Sequence, residues 1–459
     1  MALAIGLETA VKALRAHQLA VDIAAHNIAN ANTPGYSRQR VLLRPLGYDA
    51  PDTWGGGLLG RPGLGVDASD VHRVRDVFLD YQQRNAISQR EQAKAQASVL
   101  ERAELIFNDP SDEGLSVLLA NFWNAWHDVV SDPESSAART TLVHVTATLA
   151  GRIRRAYTNL VDQQTNLNLR VEALAGEVNA AVEEIARLNE QIKQVQLLGQ
   201  PANDLRDRRD LLLDQLAGIG NISYTEEPDG TVTLTFGNVQ LVSGITARTV
   251  ETYSVGGMLH IRTTDDNTAV TVTGGELRGV LDARDTDFPA LIGKLETFAS
   301  TLITQVNAIH ATGYGLDGLT GRDFFTGTGA ADIDIHPDLV ADPDRIGAAS
   351  APDAPGDGTV ARDLANLRFA SVLGGRTFEE YYANMVAILG ADVNRAKGLA
   401  KSNELLTTHL ETLRQSVQGV NIDEEVANLA AAQYAYQAAA RVITTIDQML
   451  DTLINRTAI

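Results

Sequence analysis

Few side chains in this 459-residue chain have the types and spacing that chemistry requires. Gly55-Gly56-Gly57-Leu58-Leu59-Gly60 matches the dinucleotide-binding pattern GxGxxG letter for letter. That pattern works only where a strand leads in and a helix N-terminus follows, so that backbone N–H groups meet a pyrophosphate. Here no convincing strand precedes and Pro62-Gly63 follows, so the run reads as a flexible loop. His17 and His26 lie nine residues apart in one amphipathic stretch, which does not place them on one face. Neither has a partner at metal-ligand spacing. Asp317, Asp323, Asp332 and Asp334 are a candidate cation set on charge alone and lack the spacing of a calcium loop. Asp423-Glu424-Glu425 sits at a helix start, where negative charge complements the helix dipole. No GxxxxGK[ST], HExxH or GxSxG occurs. The chain reads as a non-enzyme, with no catalytic, cofactor-binding or metal residue to name.

Composition points the same way. Aromatic residues make up 5% of the chain and the 44% that is hydrophobic rests on Ala, Leu, Val and Ile, which suits helix packing. A net charge of −20 argues against nucleic acid, whose phosphates need basic patches. No stretch approaches the roughly 20 apolar residues of a membrane span. The absence of cysteine excludes disulfides and suits a chain that crosses compartments unfolded. Met1 to Asn32 has no basic head followed by a continuous apolar stretch, so the chain stays in the cytoplasm or leaves without a cleaved secretory signal.

The elements are mainly helical. Residues 3–30 form an amphipathic helix with Leu3, Leu7, Ala10, Leu14, Val21, Ala25 and Ile28 on one face. It ends before Thr33-Pro34-Gly35, where Pro34 and Gly35 fit positions i+1 and i+2 of a type II turn. Helices follow at 77–107 and 113–131, the second carrying Trp123 and Trp126, whose spacing suits core packing or a subunit contact. A long helix runs from Pro133 to Leu198. Its second half has an unbroken heptad seam of Leu167, Val171, Leu174, Val178, Ala181, Ile185, Leu188, Ile192 and Val195. A short helix at 203–217 precedes period-two runs at 222–224, 232–236, 239–242, 248–254, 258–263 and 268–273. Helix returns at 286–311 and, after a loop-rich segment, from about 360 to the end. The last face holds Ile422, Val426, Leu429, Ala432, Tyr436, Ala439, Ile443, Ile446, Leu450 and Leu453. The expected fold is mainly α with a small β insertion: N- and C-terminal helices paired as a coiled-coil-like core, a long-helix bundle next, and the β domain outward. The expected domains are 1–65 plus 405–459, 66–219 plus 284–404, and 220–283. A helix with an apolar stripe and little local core needs a partner, so residues 1–35 and 425–459 are expected to be marginally ordered alone.

The turn after the first helix carries the most specific signal. Asn27-Ile28-Ala29-Asn30-Ala31-Asn32-Thr33-Pro34-Gly35-Tyr36-Ser37-Arg38-Gln39 resembles the N-terminal signature of the flagellar axial proteins, the family of rod, hook and hook-associated proteins. Gly419 to Leu429, Gln433 to Arg441 and Asp447 to Asn455 resemble that family's C-terminal motif, and Gly313 to Phe325 a third segment. Ser37-Arg38-Gln39 favours its hook-associated members. Asn tolerates the left-handed conformation at a helix end, and these side chains could bond freed carbonyls or a neighbouring subunit. A plain helix cap is the simpler reading.

The resemblance implies an exported structural subunit, held unfolded for type III secretion and added at the distal end of the hook, outside the cell. Its partners would be further copies of itself, the hook protein, hook-associated protein 3 and a cytoplasmic export chaperone. Subunit contacts would come from Asn27, Asn30, Asn32, Thr33, Pro34, Gly35, Tyr36, Asn421, Val426, Leu429, Tyr436, Ile443 and Leu450. The chaperone would hold Ile422, Val426, Leu429, Ile443, Ile446 and Leu450. The β insertion is small, so outer-domain contacts of larger members do not carry over, and residues 326–360 receive no role. The alternatives are another axial protein of hook or distal rod, an enzyme grafted as the β domain, and a cytoplasmic coiled-coil scaffold.

Overall fold

The computed structural model describes residues 2–46, 65–109, 111 and 114–456, so the Gly55–Gly60 run lies outside the described residues, as does the Leu3 side chain. The chain opens with α1 (Ala2–Asn30), a ribbon of β1 (Gln39–Pro45) and β2 (Val66–Arg73), and α2 (Val77–Phe107). Next come α3 (Leu115–Ser131), the 62-residue α4 (Ser136–Leu197) and α5 (Asn203–Ile219). Six strands follow: β3 (Ile222–Glu226), β4 (Val232–Phe236), β5 (Val239–Ser243), β6 (Thr246–Ala247), β7 (Val250–Val255) and β8 (Met258–Thr263). Helices α6 (Gly275–Asp282) and α7 (Phe288–His310) lead to a loop region with β9 (Phe325–Thr326), β10 (Asp334–Ile335), α8 (Pro337–Ala341) and α9 (Thr359–Asn366). The chain closes with α10 (Phe378–Gln418) and α11 (Ile422–Asp451).

Local signals account for the long helices. Asp76 caps α2 by accepting from the backbone N–H groups of Phe78 and Leu79. Thr377 and Glu380 form a capping box on α10, and Asn421 accepts from the N–H groups of Asp423 and Glu424 on α11.

The two terminal helices pair antiparallel. Asn27 meets Glu425 at one end, and a Cβ on Gly6 would lie 3.5 Å from Ile446 at the other. On α11 the buried residues are Glu425, Ala432, Ala439 and Ile446, a seven-residue step. Leu429, Tyr436, Ile443 and Leu450 lie half-buried between them, which completes a coiled-coil seam. The face of α1 is rotated from the expected one. Ala10, Ala16, Ala24 and Asn27 are buried while Ala25 is exposed, because small residues and one asparagine let the backbones approach.

Helices α2 and α10 form a second antiparallel pair, with Gln83 bonded to Glu411 and Lys397 paired with Glu101. At their far end lies an aromatic cluster. Trp126 packs tilted on Phe324 with ring centroids 5.0 Å apart, Phe122 lies edge-on to Trp123 at 4.8 Å, and Trp123 packs on Phe378. Both tryptophans are thus core residues. Phe324 and Phe325, from the loop after α7, are driven into the same cluster and anchor that loop.

The heptad seam of α4 meets strands and short helices instead of a helix of its own length. Strands β3–β6 form an antiparallel sheet in sequence order, with Ile222 opposite Phe236 and Glu226 opposite Val232. Strands β7 and β8 form a separate hairpin, with Val250 opposite Thr263. Residues 268–273 form no strand beyond one bridge of Ala269 to Arg262, and residues 275–282 are helix. Three asparagines on α4 tie the strands down. Asn189 bonds Val232 N and O, Asn179 bonds Val250 N and O, and Asn168 bonds Leu259 N and Gly257 O. Each side-chain amide offers the donor and acceptor that a neighbouring strand would offer.

Candidate functional site

The residues of the turn motif converge where α1, the β1–β2 ribbon, α5, α10 and α11 meet. Tyr36 N donates to Thr33 O at 3.2 Å and Gly35 has φ +79°, as a type II turn requires of its third residue. A Cβ on Gly35 would also press within 3.3 Å of Leu211, so only glycine suits the position. Gly35 is the left-handed residue here. Asn27, Asn30 and Asn32 are not, because the helix ends by bonds from Thr33 N to Asn30 O and from Asn30 Nδ2 to His26 O.

Asn27 is the hub. Its Nδ2 donates to Gln39 O and to Glu425 Oε2, each at 2.9 Å, and its Oδ1 accepts from Tyr36 OH at 2.8 Å and Gln39 N at 2.9 Å. Every donor and acceptor of the amide is used, which a buried asparagine requires. Tyr36 OH also meets His26 Nδ1 at 3.0 Å. Burial, with Asp204, Asp207 and Glu425 nearby, pushes its hydroxyl well above its ordinary pKa, so it stays protonated as a donor.

Arg38 closes the α1–α11 side. Its Nε donates to Glu425 at 2.7 Å, its Nη2 lies 2.8 Å from Glu424, and its backbone N–H caps Gln418 O at the end of α10. The bond to Glu424 raises the guanidinium pKa and lowers that of Glu424. Asp423-Glu424-Glu425 therefore serves as more than a dipole complement: two of its members are the ligands of Arg38.

The other side is α5. Ser37 N donates to Asp207 at 3.0 Å, Gln39 Nε2 to Asp204 at 2.8 Å, and Asn203 Nδ2 to Gln39 Oε1 and Val71 O. Arg73 bonds Asp207 at 2.9 Å and Asp210 at 2.7 Å; Arg75 bonds Asp210 and Asp80; Arg84 bonds Asp214; Arg414 joins Asp214 and Asp80. Burial would raise Asp210, but Arg75, Arg73 and Arg84 overcome it and hold the carboxyl below the usual range. Burial does raise Asp207, against the pull of Ser37 N and Arg73. Sequence reading missed Asp207, Asp210, Asp214, Arg73, Arg75, Arg84 and Arg414. The available signal was the spacing of Asn203, Asp207, Asp210 and Asp214, a polar stripe at core periodicity.

The motif residues are not all in this network. Asn30 and Thr33 bond each other at the helix end, while Asn32 and Pro34 are exposed in the turn. Asn421 is a helix cap. Leu429, Tyr436, Ile443, Ile446 and Leu450 line the seam with α1, whereas Ile422 and Val426 point outward, 49% and 51% exposed. Three of the four candidate cation aspartates are otherwise engaged. Asp317 binds Arg322, Asp332 accepts from Thr328 and Gly329 N–H groups, and Asp334 pairs with Arg154. Among the described residues no group of three or more His, Asp or Glu side chains could hold a metal, and no helix is long and apolar enough to cross a membrane.

Known proteins match the chain along its length. The family model for the flagellar hook-associated protein FlgK helical domain matches residues 100–325. Flagellar rod models match the two ends: the flagella basal body rod protein at 7–36 and the FlgEFG C-terminal model at 415–456. The flagellar hook-associated protein 1 of Bacillus subtilis is 30% identical over 98% of this chain and 97% of its own length. The chain belongs to the flagellar hook-associated protein 1 family. The Escherichia coli member is 26% identical over 98% of this chain and 99% of its own. The solved structure of the flagellar hook junction protein FlgK from Burkholderia pseudomallei is 14% identical and covers 74% of this chain and all of its own, with a TM-score of 0.68, so the fold is shared.

Proposed function

We propose that this chain joins hook to filament as a structural adaptor of the bacterial flagellum. The observation that carries the reading is the state of α11. Only four of its 30 residues are buried, and Ile422, Val426, Val442 and Met449 stand about half-exposed on faces that α1 does not cover. One partner helix leaves this helix incomplete, and neighbouring copies in a ring or tube would cover the rest. A groove of about 520 Å³ between α1, α11 and β1, lined by Ile23, Leu42 and Leu43, offers such copies a further seat. Hook protein below and hook-associated protein 3 above are the partners this reading assigns. Its parts are a terminal core domain (1–65 plus 405–459), a long-helix bundle (66–219 plus 284–404) and a β part (220–283).

Export through the type III apparatus would precede assembly, and a cytoplasmic chaperone would hold α11. Leu429, Ile443, Ile446 and Leu450 face α1 in the folded chain. A chaperone that grips them must therefore bind before α1 docks. Deletion of the gene tests the main reading. Intact hooks without filaments, with filament protein in the medium, is the expected phenotype in electron micrographs; missing hooks would overturn it in favour of a hook or rod subunit.

A further inference from the structure

Two copies of a chain with a net charge of −20 repel each other, so they meet most closely where neither presents charge. One surface satisfies that condition over a long stretch. Charged residues make up 21% of the chain. From Leu405 on α10 to Ala440 on α11, however, the exposed positions hold no lysine or arginine. They hold only two carboxylates, Asp423 and Glu424, and Arg38 binds the second. The same face is apolar. Leu399, Leu406 and Leu413 stand exposed at seven-residue steps on α10, Val417 follows four residues on, and Ile422 and Val426 carry the line onto α11. Seven-residue steps are the pattern of a helix seam. The inner flank of α10, with Thr407, Leu410 and Arg414, is already buried against α2, so this outer line is a second seam without a partner in the chain.

Another uncharged surface projects elsewhere. No charged residue occurs from Gln194 to Asn203, where α4 turns into α5. Leu197 and Leu198 are 79% and 76% exposed there, the highest values of the large apolar side chains among the described residues. The turn that carries them is closed. Gly199, at φ +71°, donates its N–H to Gln196 O at 2.8 Å, and Gln200 donates to Val195 O at 3.2 Å. The two leucines therefore form a preformed knob. Helices α2 and α5 stand between it and the outer line of α10, since α10 packs on α2, α2 on α5 and α5 on α4. A knob on one side and a receiving face on another make a heterologous pair, which repeats from copy to copy into a ring or an open helix.

We propose that the Leu197-Leu198 turn of one copy seats on the α10–α11 face of the next, along Leu406, Leu413 and Ile422. The inference rests on the adaptor reading and assigns one contact between its copies. It brings the bundle helix α10 and the α4–α5 turn into an interface that α11 alone would otherwise supply.

The absence of cysteine makes the test direct. A strain lacking the gene is supplied with the full chain carrying Leu198→Cys together with Leu406→Cys, Leu413→Cys or Val426→Cys in turn. Mild oxidation of isolated hook–filament junctions should give a ladder of linked copies in at least one pairing, and Leu198→Cys alone should give none. Leu413→Glu puts a carboxylate into the face and should cut the amount of chain recovered with hooks by about tenfold. Adding Leu198→Lys should restore it, while Leu169→Glu, at an exposed leucine of α4 outside both surfaces, should change nothing. Tryptophan emission from Trp123 and Trp126 selects variants whose core is folded. Junctions filled by the chain that yield no ladder in any pairing, or Leu413→Glu recovered as well as the parent, would overturn this contact and leave the adaptor reading standing. A parent chain absent from the junction would overturn both.

Discussion

Trp126 and Asp210 are both buried, at opposite ends of the α2–α10 pair, and their surroundings share nothing. Trp126 lies among Phe122, Phe324 and His310, where contact energy falls away with small displacements. Asp210 lies among Arg73, Arg75 and Arg84, where charge is exchangeable between neighbours and desolvation offsets much of the attraction. The first end fixes a shape. The second fixes an attachment through paired charges and directional hydrogen bonds.

Four experiments sharpen or break this contrast. The largest effect is expected from Trp126→Ala, which empties the centre of the aromatic cluster and should cost about 3–5 kcal/mol in urea unfolding. The contrast fails if this change loosens the α1–α11 pair as much as the core.

The second experiment is titration. His310 Nδ1 bonds Arg322 O at 2.8 Å and its Nε2 accepts from Gly347 N at 2.9 Å, so a second ring proton would meet an N–H. Burial pushes its pKa down from 6.5 to about 4. The unfolded chain takes up a proton that the folded chain refuses, so this stability is full above pH 6.5 and falls as pH drops toward 4, by about 3 kcal/mol. His310→Gln should flatten that slope. Asp210 has the same sign lower down: its depressed pKa gives stability above the ordinary carboxylate range that is lost on acidification.

The third is Glu425→Ala, which strands Asn27 and Arg38. A local loss of about 2 kcal/mol is expected. It should appear as faster hydrogen exchange in α1 and α11 with Leu295 to Val306 of α7 unchanged. In the parent chain, residues 1–35 and 425–459 should already exchange ahead of the core; strong protection there would show the terminal pair to be self-sufficient. The smallest effect, about 1–2 kcal/mol, belongs to Asn179→Ala, read as faster exchange over 250–263.

Much of this was legible in the chain. Helix α2 was expected at 77–107 and spans those residues, and the pairing of the terminal helices followed from their apolar stripes. Pro34-Gly35 specified the turn through local backbone limits alone. The polar junction was not legible, for a physical reason. Periodicity assigns an apolar stripe to the core and a polar one to water, so the inward acidic face of α5 looks like a solvated surface. Its partners, Arg73 and Arg414, stand far away in the sequence, and no local pattern announces them. The outcome for Ala25 has a similar origin, since an alanine-rich helix leaves several faces nearly equal.

The asparagines at 168, 179 and 189 carry a last consequence. Each reads the peptide groups of a strand and ignores its side chains. The outward residues of those strands are free to drift, so variation in surface identity can gather on the strands without disturbing the helix that holds them.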